Sequence, residues 1–421
     1  MSLLAKLAAA PVVAIAWLVA ARLVISALGV DGYAIYAIIA GIAVLLPFTD
    51  LGMGAAVMDA MARRNQPGVD PVESVLLTTW RGLGLVGLIL TATAVVIAIA
   101  GWWAPILGVP ADDSVEISVA LALTTFALGL PLSVGPRLLI GGGLNHWAVM
   151  FQALSAFLML VCIAVATLST TNMGAYVVAP FVSAAMANSL ALVFGARRLK
   201  VAILPIARSI FAFNSRGAKV RHVAGPMFVI SVVLPLAFQT DRIILSHVAT
   251  LKDVAAYSVA FQIFSPLLGL IGSAAIALWP VFVRAQASLE GLTWTRFVRC
   301  QMVFGALGFG LCVAFVLLTP YLAEVVSAGK VEVSWALVLA FGILLLIQAL
   351  SHPLGMVLTT APGLRFQAQL HVLALAFNLP LSILLATRWG ASGPVVASIL
   401  AMTCIQLAPL LMRVRNVTVR S

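Results

Sequence analysis

Long apolar runs separated by short polar breaks dominate the pattern of this chain. Each run is about 20 residues long, which is the length of a helix that crosses a hydrocarbon core of about 30 Å. A transmembrane β-barrel would instead show alternating segments of about 10 residues. The pattern predicts about twelve spans, at 8–28, 33–57, 75–101, 116–141, 148–168, 174–196, 223–248, 254–280, 300–320, 334–356, 367–387 and 392–412. We therefore predict an all-α polytopic membrane protein.

The composition agrees with this prediction. The 421 residues are 63% hydrophobic and only 9% charged, whereas soluble domains carry about a quarter charged residues. The first apolar run, which follows Lys6, is longer than the apolar core of a signal peptide, so we expect an uncleaved first span. The four cysteines lie in or beside apolar spans without metal-ligand spacing, which predicts neither a disulfide framework nor a zinc site.

The distribution of Lys and Arg predicts the orientation. With the N-terminus inside, 17 of the 24 cationic residues fall on the cytoplasmic side and 3 on the outside. By the positive-inside rule, both termini are then cytoplasmic. The net charge of +11 is concentrated on the cytoplasmic surface, where it favours contact with anionic lipid headgroups. The sequence contains no nucleic-acid-binding motif, so no nucleic acid partner is expected.

The chain divides into two halves of six spans each. We predict an N-terminal six-helix bundle at 1–196, a basic cytoplasmic linker at 197–222 and a C-terminal six-helix bundle at 223–421. The linker region contains several cations and no acidic residue. It predicts either a short amphipathic helix along the membrane or a solvated connector.

An internal repeat relates the two halves. The string Arg22-Leu-Val-Ile-Ser26 parallels Arg242-Ile-Ile-Leu-Ser246, and further short matches occur at offsets of 219 to 221 residues. In both strings Ser follows Arg by four residues, which places the two side chains on one helix face. Two pseudo-symmetric parallel bundles with a site between them near mid-membrane are a known transporter architecture.

Six charged side chains lie within the predicted spans: Arg22, Asp50, Arg81, Arg137, Asp241 and Arg242. A charge at the centre of a membrane helix costs about 3 kcal/mol. If all six faced lipid, their summed cost would therefore exceed a typical folding stability of about 5–15 kcal/mol. Most of them must face protein or water. The excess of arginine favours an anionic substrate group such as pyrophosphate, because guanidinium offers bidentate donors.

Each of these charges has alternative roles. Arg22 and Arg242 lie deepest and are the first candidates to line a cavity. Arg81 and Arg137 either join them or extend to the cytoplasmic interface, and Asp50 either pairs with one of these two or takes part in coupling. Asp241 is either a counter-ion to Arg22 or a group that couples transport to an H⁺ or Na⁺ gradient.

Uncharged polar side chains recur on the same helices. The candidates for substrate contacts are Gln239, Ser246, Gln348, His352 and His371. They either bind sugar hydroxyls or form hydrogen bonds that hold the helices together. No Walker A loop, zinc signature or Ser-His-Asp arrangement is present, so the sequence supports neither ATP-driven transport nor an enzyme, and it implies no cofactor or metal.

Two strings resemble a known family. The string LGVDGYAIYAIIAGIAVLLPFTDLGMGAAV from Leu28 is similar to the opening of Wzx-type polysaccharide flippases, which belong to the MATE-like MOP superfamily. The string TDRIILSHVATLKDVAAYSVAFQIF from Thr240 is similar to the region around the seventh and eighth spans of the same family. The chain departs from the family in beginning close to its first span.

The resemblance implies a secondary transporter of the bacterial cytoplasmic (inner) membrane. It would flip a polyprenyl-pyrophosphate-linked oligosaccharide from the cytoplasmic to the outer leaflet by alternating access. Arg22 and Arg242 would contribute to its cationic central cavity, and other polysaccharide-assembly proteins are candidate partners. Two alternatives remain: a multidrug or cation antiporter, which predicts an acidic cavity, and a lipid II-type flippase, which predicts fourteen spans.

Overall fold

The computed structural model describes residues 2–45, 53–64, 66, 70–209, 240–287, 292–358 and 361–418. Within these ranges every regular element is helical, and ten helices are long and apolar enough to cross a membrane. The predicted all-α polytopic membrane fold is thereby confirmed. The chain forms two compact units, Met1–Pro235 and Leu236–Ser421.

The first unit contains nine described helices. They are α1 Ser2–Leu45, α2 Met53–Ala62, α3 Val72–Ile99, α4 Trp103–Leu107, α5 Asp113–Gly129, α6 Val134–Gly141, α7 Asn145–Ser169, α8 Met173–Leu199 and α9 Ile203–Ser209. A turn of 3-10 helix, Leu130–Ser133, joins α5 to α6. This turn contains Pro131, whose carbonyl oxygen accepts a hydrogen bond from Trp80 Nε1 at 3.0 Å. A neighbouring helix thus satisfies a backbone group near the proline, as membrane helices require.

Helix α1 includes a sharp break at Gly29. Its φ of 75° and ψ of −174° are not helical, and glycine adopts this backbone conformation without steric penalty. The break separates two helical segments that correspond to the first predicted span, 8–28, and the start of the second, 33–57. The two predicted spans are therefore seen here as one continuous element with a change of direction.

The core of the first unit lies between α2, α3 and α6. Val57, Leu76 and Leu138 are fully buried there. Glycine allows close backbone approach between α6 and α8, because a Cβ on Gly135 would lie 2.5 Å from the backbone nitrogen of Leu192. Small residues at such positions are typical of helix packing in membranes.

The second unit contains α10 (described over residues 240–248), α11 Leu251–Ala287, α12 Trp294–Ser327, α13 Trp335–Val357, α14 Ala361–Trp389, α15 Ser392–Ala401 and α16 Ala408–Thr418. A π-helical segment, Met402–Leu407, joins α15 to α16. The described helices extend beyond the predicted spans, as where α12 contains the predicted span 300–320. A helix continues past the hydrocarbon core as long as its backbone hydrogen bonds are satisfied, whereas the apolar run marks only the core.

Aromatic side chains fill the core of the second unit. Phe264 and Phe341 have ring centroids 5.0 Å apart, and Phe315 packs against both at 6.3 and 6.2 Å. The side-chain amide of Gln367 donates to the backbone oxygens of Gly355 and Leu358 at 3.2 and 2.9 Å. It thereby satisfies carbonyl groups at the C-terminal end of α13.

The predicted division at 1–196, 197–222 and 223–421 stays a prediction. Within the predicted linker, α8 continues to Leu199 and α9 covers Ile203–Ser209, while residues 210–222 lie outside the described residues. Ile206 of α9 is buried in the core of the first unit. The described part of the linker region is therefore mostly helical, and α9 packs against the first unit through Ile206.

Candidate functional site

A tight turn after α10 positions the charged pair Asp241 and Arg242 against α11. Thr250 precedes α11, and its backbone nitrogen and hydroxyl both donate to Asp253 Oδ2, at 3.1 and 2.6 Å. The backbone nitrogen of Asp253 donates in return to the Thr250 hydroxyl at 3.2 Å. This reciprocal pattern is a capping box, in which Asp takes the place of the usual Glu. It starts α11 immediately after α10, so the two helices form a hairpin.

Asp241 is a buried carboxyl group that has one hydrogen-bond donor among the described residues. Its side chain is 1% exposed, and Tyr257 of α11 donates its hydroxyl to Asp241 Oδ2 at 2.8 Å. Among the described residues, the other oxygen, Oδ1, has no hydrogen-bond partner. A buried polar oxygen without a partner is costly.

Arg242 is buried beside it and packs on an aromatic ring. Its Cζ lies 5.2 Å from the ring centroid of Phe261, and the side chain is 8% exposed. Tyr257 and Phe261 lie one turn apart on α11 with stacked rings, 6.0 Å between centroids. A guanidinium over an aromatic face gains about 2 kcal/mol when desolvated. One face of α11 thus contacts both charged side chains, the carboxyl through a hydroxyl and the guanidinium through a ring.

The rest of the predicted stripe around Arg242 is described only in part. Ser246 is buried, and its hydroxyl donates to the backbone oxygen of Ile243 at 2.8 Å. That hydroxyl already hydrogen-bonds within its own helix. Gln239 lies outside the described residues, as does Asp50.

Arg22 lies on an exposed face of α1. This face runs through Val12, Ile15 and Val19 to Arg22 and Ser26, at spacings of three and four residues. It therefore changes from apolar to polar toward Gly29. Arg22 and Ser26 share this face, but unlike Arg242 and Ser246 they are exposed rather than buried. The repeated motif thus occurs in two different environments.

The other two predicted arginines differ from each other. Arg81 of α3 is half-buried, and its Nη2 donates to the backbone oxygen of Ser209 at 3.0 Å. It thereby fixes the end of α9 against α3. Arg137 of α6 is exposed.

Gln348 and His352 lie one turn apart on α13. His352 Nδ1 donates to the backbone oxygen of Gln348 at 2.7 Å. Gln348 is 7% exposed. His352 Nε2 points at α11, since it lies 3.6 Å from the position of a Cβ on Gly272. This pair therefore faces the interior of the second unit.

His371 is half-buried on α14. Two turns along the same helix, Asn378 is buried, and its Oδ1 accepts hydrogen bonds from Ser382 and Ser398 at 3.4 and 3.5 Å. Because Ser398 belongs to α15, this cluster links two helices. His371 and Asn378 share a face, as their spacing of seven predicts.

Tyr257 and Phe261 were not recognised as site residues from the sequence. Their spacing of four residues, directly after the turn that follows Asp241, is the available signal. It is a weak one, because the chain contains 20 Phe residues and aromatic pairs at this spacing more often form part of a core. Within the described part of the chain, no group of three His, Cys, Asp or Glu residues is placed to hold a metal ion.

The chain resembles known proteins in sequence and in fold. Residues 2–286 match the family model described as "Polysaccharide biosynthesis protein". No curated protein matches the chain. The fold is similar to the solved structure of "Lipid II flippase MurJ, inward closed conformation", with a TM-score of 0.69 and 13% identity over 98% of this chain and 87% of that chain.

A second similar structure is described as "Inward-facing conformation of a multidrug resistance MATE family transporter of the MOP superfamily". Its TM-score is 0.67, with 15% identity over 100% of this chain and 99% of that chain. At these identities the likeness establishes the fold. The family match covers more than half of the 421 residues, and the chain therefore belongs to the polysaccharide biosynthesis protein family.

Proposed function

We propose that this protein is a secondary transporter that flips a polyprenyl-pyrophosphate-linked oligosaccharide from the cytoplasmic to the outer leaflet. The product would serve cell-surface polysaccharide synthesis in the bacterial cytoplasmic membrane. Membership of the polysaccharide biosynthesis family supports the substrate class. The fold, which is shared with a lipid II flippase and a multidrug transporter, supports transport by alternating access.

The observation that carries the substrate chemistry is the presence of Arg22 and Arg242 in otherwise apolar helices. A pyrophosphate needs several charge-assisted donors to replace its hydration shell, and guanidinium supplies them in pairs. The ring of Phe261 holds the Arg242 guanidinium in place, which lowers the conformational entropy that phosphate binding would cost. Arg137, Gln348, His352 and His371 are the further candidates for contacts with the pyrophosphate and the sugars.

The environment of Asp241 suggests how substrate and proton binding would be linked. While Asp241 is ionised, its charge offsets that of Arg242, its neighbour in sequence. Protonation at Oδ1, the oxygen without a described partner, would remove a negative charge next to Arg242 and strengthen the attraction of its guanidinium for a phosphate. Thermodynamic linkage then requires that substrate binding also favours protonation. Asp241 would act as a coupling residue in this scheme, whereas a plain counter-ion would show no such linkage.

The test is glycan export in cells that lack the wild-type gene. We expect the double variant Arg22→Ala/Arg242→Ala to abolish export of the cell-surface glycan while the protein remains in the membrane. The matched control is Arg388→Ala, in the last turn of α14. It removes one positive charge outside the proposed site. Normal export by the double variant would refute the proposed role of the two arginines.

A multidrug or cation antiporter is the second candidate function. The buried carboxyl group of Asp241 and the fold shared with a multidrug transporter favour it. Efflux of a cationic dye distinguishes the two candidates. Dye efflux that requires Asp241, in cells whose glycan export is unaffected by loss of the protein, would replace the flippase proposal. A lipid II-type flippase would instead restore growth to cells that lack their own lipid II flippase.

A further inference from the structure

A groove runs along the exposed side of α14. It has a volume of about 400 Å³ and is lined by Ala368, Gln369, Val372, Leu373 and Ala376. Nearly all of the lining surface is apolar, and all five side chains are exposed. The two alanines are the smallest members of the set and leave the hollow between larger neighbours. On a membrane-spanning helix such a surface faces hydrocarbon chains.

A cation lies in line with this groove. Arg365 is exposed near the start of α14, and Val372 and Ala376 follow it by seven and eleven residues. At 3.6 residues per turn, both fall within about 20° of Arg365 around the helix axis. The guanidinium therefore emerges at one end of the groove, on the same helix face.

A second guanidinium lies at the same end of α14. Arg413 of α16 is exposed, and its Cζ is 5.8 Å from the ring centroid of Phe366, the neighbour of Arg365 in sequence. The sequence from Ala361 to Thr418 contains no Asp or Glu. These positive charges are therefore not offset by acidic residues of α14, α15 or α16.

One polar residue borders the groove. Gln369 lies one turn beyond Arg365 and is exposed, although polar atoms contribute almost none of the groove lining. An amide exposed to hydrocarbon is unfavourable unless it has a hydrogen-bond partner. An ester or phosphate oxygen of a lipid at this depth would accept from it.

We propose that the groove is a binding site for an anionic phospholipid of the surrounding bilayer. The phosphate contacts Arg365 and Arg413, the Gln369 amide donates to a headgroup or ester oxygen, and one acyl chain lies along Val372 and Ala376. A second copy of the chain fits the face less well. A two-fold interface there would bring the two Arg365 side chains, which have like charge, close together. The site rests on α14 and α16 alone and is independent of the proposed transport function.

This site can be tested by native mass spectrometry of the protein released from nanodiscs that contain equal amounts of phosphatidylglycerol and phosphatidylcholine. We expect the wild type to retain phosphatidylglycerol preferentially. A basic residue near an anionic membrane surface contributes about 1 kcal/mol, so Arg365→Gln should weaken phosphatidylglycerol retention about fivefold. Arg388→Gln removes one charge from the other end of the same helix and should leave retention unchanged.

Ala376→Phe tests the groove itself without altering charge. We expect it to reduce phosphatidylglycerol retention, whereas Leu384→Phe, on an exposed position outside the groove, should not. Equal retention of the two lipids by the wild type, or equal effects of Arg365→Gln and Arg388→Gln, would overturn the proposal. A dimer that Ala376→Phe dissociates would assign the groove to a second copy and would also overturn it.

Discussion

Replacing Tyr257 with Phe removes the hydroxyl that donates to Asp241 and leaves the ring packing of α11 in place. The carboxyl group is 1% exposed, and the lost hydrogen bond is 2.8 Å long. Asp241 Oδ1 has no partner among the described residues, so the variant leaves both oxygens without a described donor. A hydrogen bond to a charged group contributes about 1.5–3 kcal/mol. We therefore expect Tyr257→Phe to lower the free energy of unfolding by about 2 kcal/mol at a pH at which Asp241 is ionised.

The assay is equilibrium unfolding in mixed micelles, with Tyr176→Phe as the matched control. Tyr176 is also buried, but its hydroxyl donates to a neutral acceptor, the backbone oxygen of Thr170, at 3.0 Å. A neutral hydrogen bond contributes about 1 kcal/mol, so the control should be destabilised about half as much.

The protonation state of Asp241 supplies a second criterion. The destabilisation by Tyr257→Phe should shrink as the pH falls, because a protonated carboxyl group needs its donor less. It should also shrink in the Asp241→Asn background, where the double-mutant cycle reports the coupling between the two side chains. The contribution of the Tyr257–Asp241 hydrogen bond would be refuted if Tyr257→Phe destabilised the protein no more than Tyr176→Phe does, and if neither pH nor Asp241→Asn changed that destabilisation.

Three further predictions concern local structure and use unfolding measurements. Gly135→Ala should destabilise the protein by about 1–3 kcal/mol, because its Cβ would lie 2.5 Å from backbone of α8; Gly84→Ala, with nothing within 4 Å, should be neutral or stabilising, and equal effects would contradict the packing. Ala328→Gly should stabilise the end of α12 by about 0.5–1 kcal/mol, because residue 328 has a φ of 53°; a loss of stability would contradict this. Hydrogen bonds from the hydroxyl and backbone N–H of Ser114 hold the pKa of Asp112 below its usual value. Their stabilisation is present above the unfolded-state pKa and lost as the pH falls through the folded-state pKa, so Asp112→Ala should reduce the acid sensitivity of unfolding, and an unchanged pH profile would count against the cap.

The fold could be predicted from the sequence because the bilayer imposes a length on each apolar run. The spans predicted at 8–28 and 33–57 leave residues 29–32 between them, and the break at Gly29 lies at the start of this interval. The positions of the helix ends are predicted less accurately. Their positions depend on capping, as with Thr250 and Asp253 at the start of α11, rather than on hydropathy.

The candidate site could be predicted only in part. Asp241 and Arg242 stand out in the sequence because charges are rare in apolar helices. Their contacts with Tyr257 and Phe261 depend on how α10 packs against α11, and helical spacing alone cannot distinguish a ring that contacts a charge from one that fills a core. The local sequence also does not determine the burial of Arg22 and Arg242, because the same motif is exposed in α1 and buried in α10.

The central claim concerns movement of a polyprenyl-pyrophosphate-linked oligosaccharide across a bilayer. The most direct measurement is transbilayer movement of this lipid in proteoliposomes that contain only the purified protein, with the Arg22→Ala/Arg242→Ala variant at equal density. The account predicts that the wild type moves the lipid to the opposite leaflet and that the variant moves it no faster than protein-free vesicles. Equal movement by both proteins, or none by the wild type under any ion gradient, would contradict it.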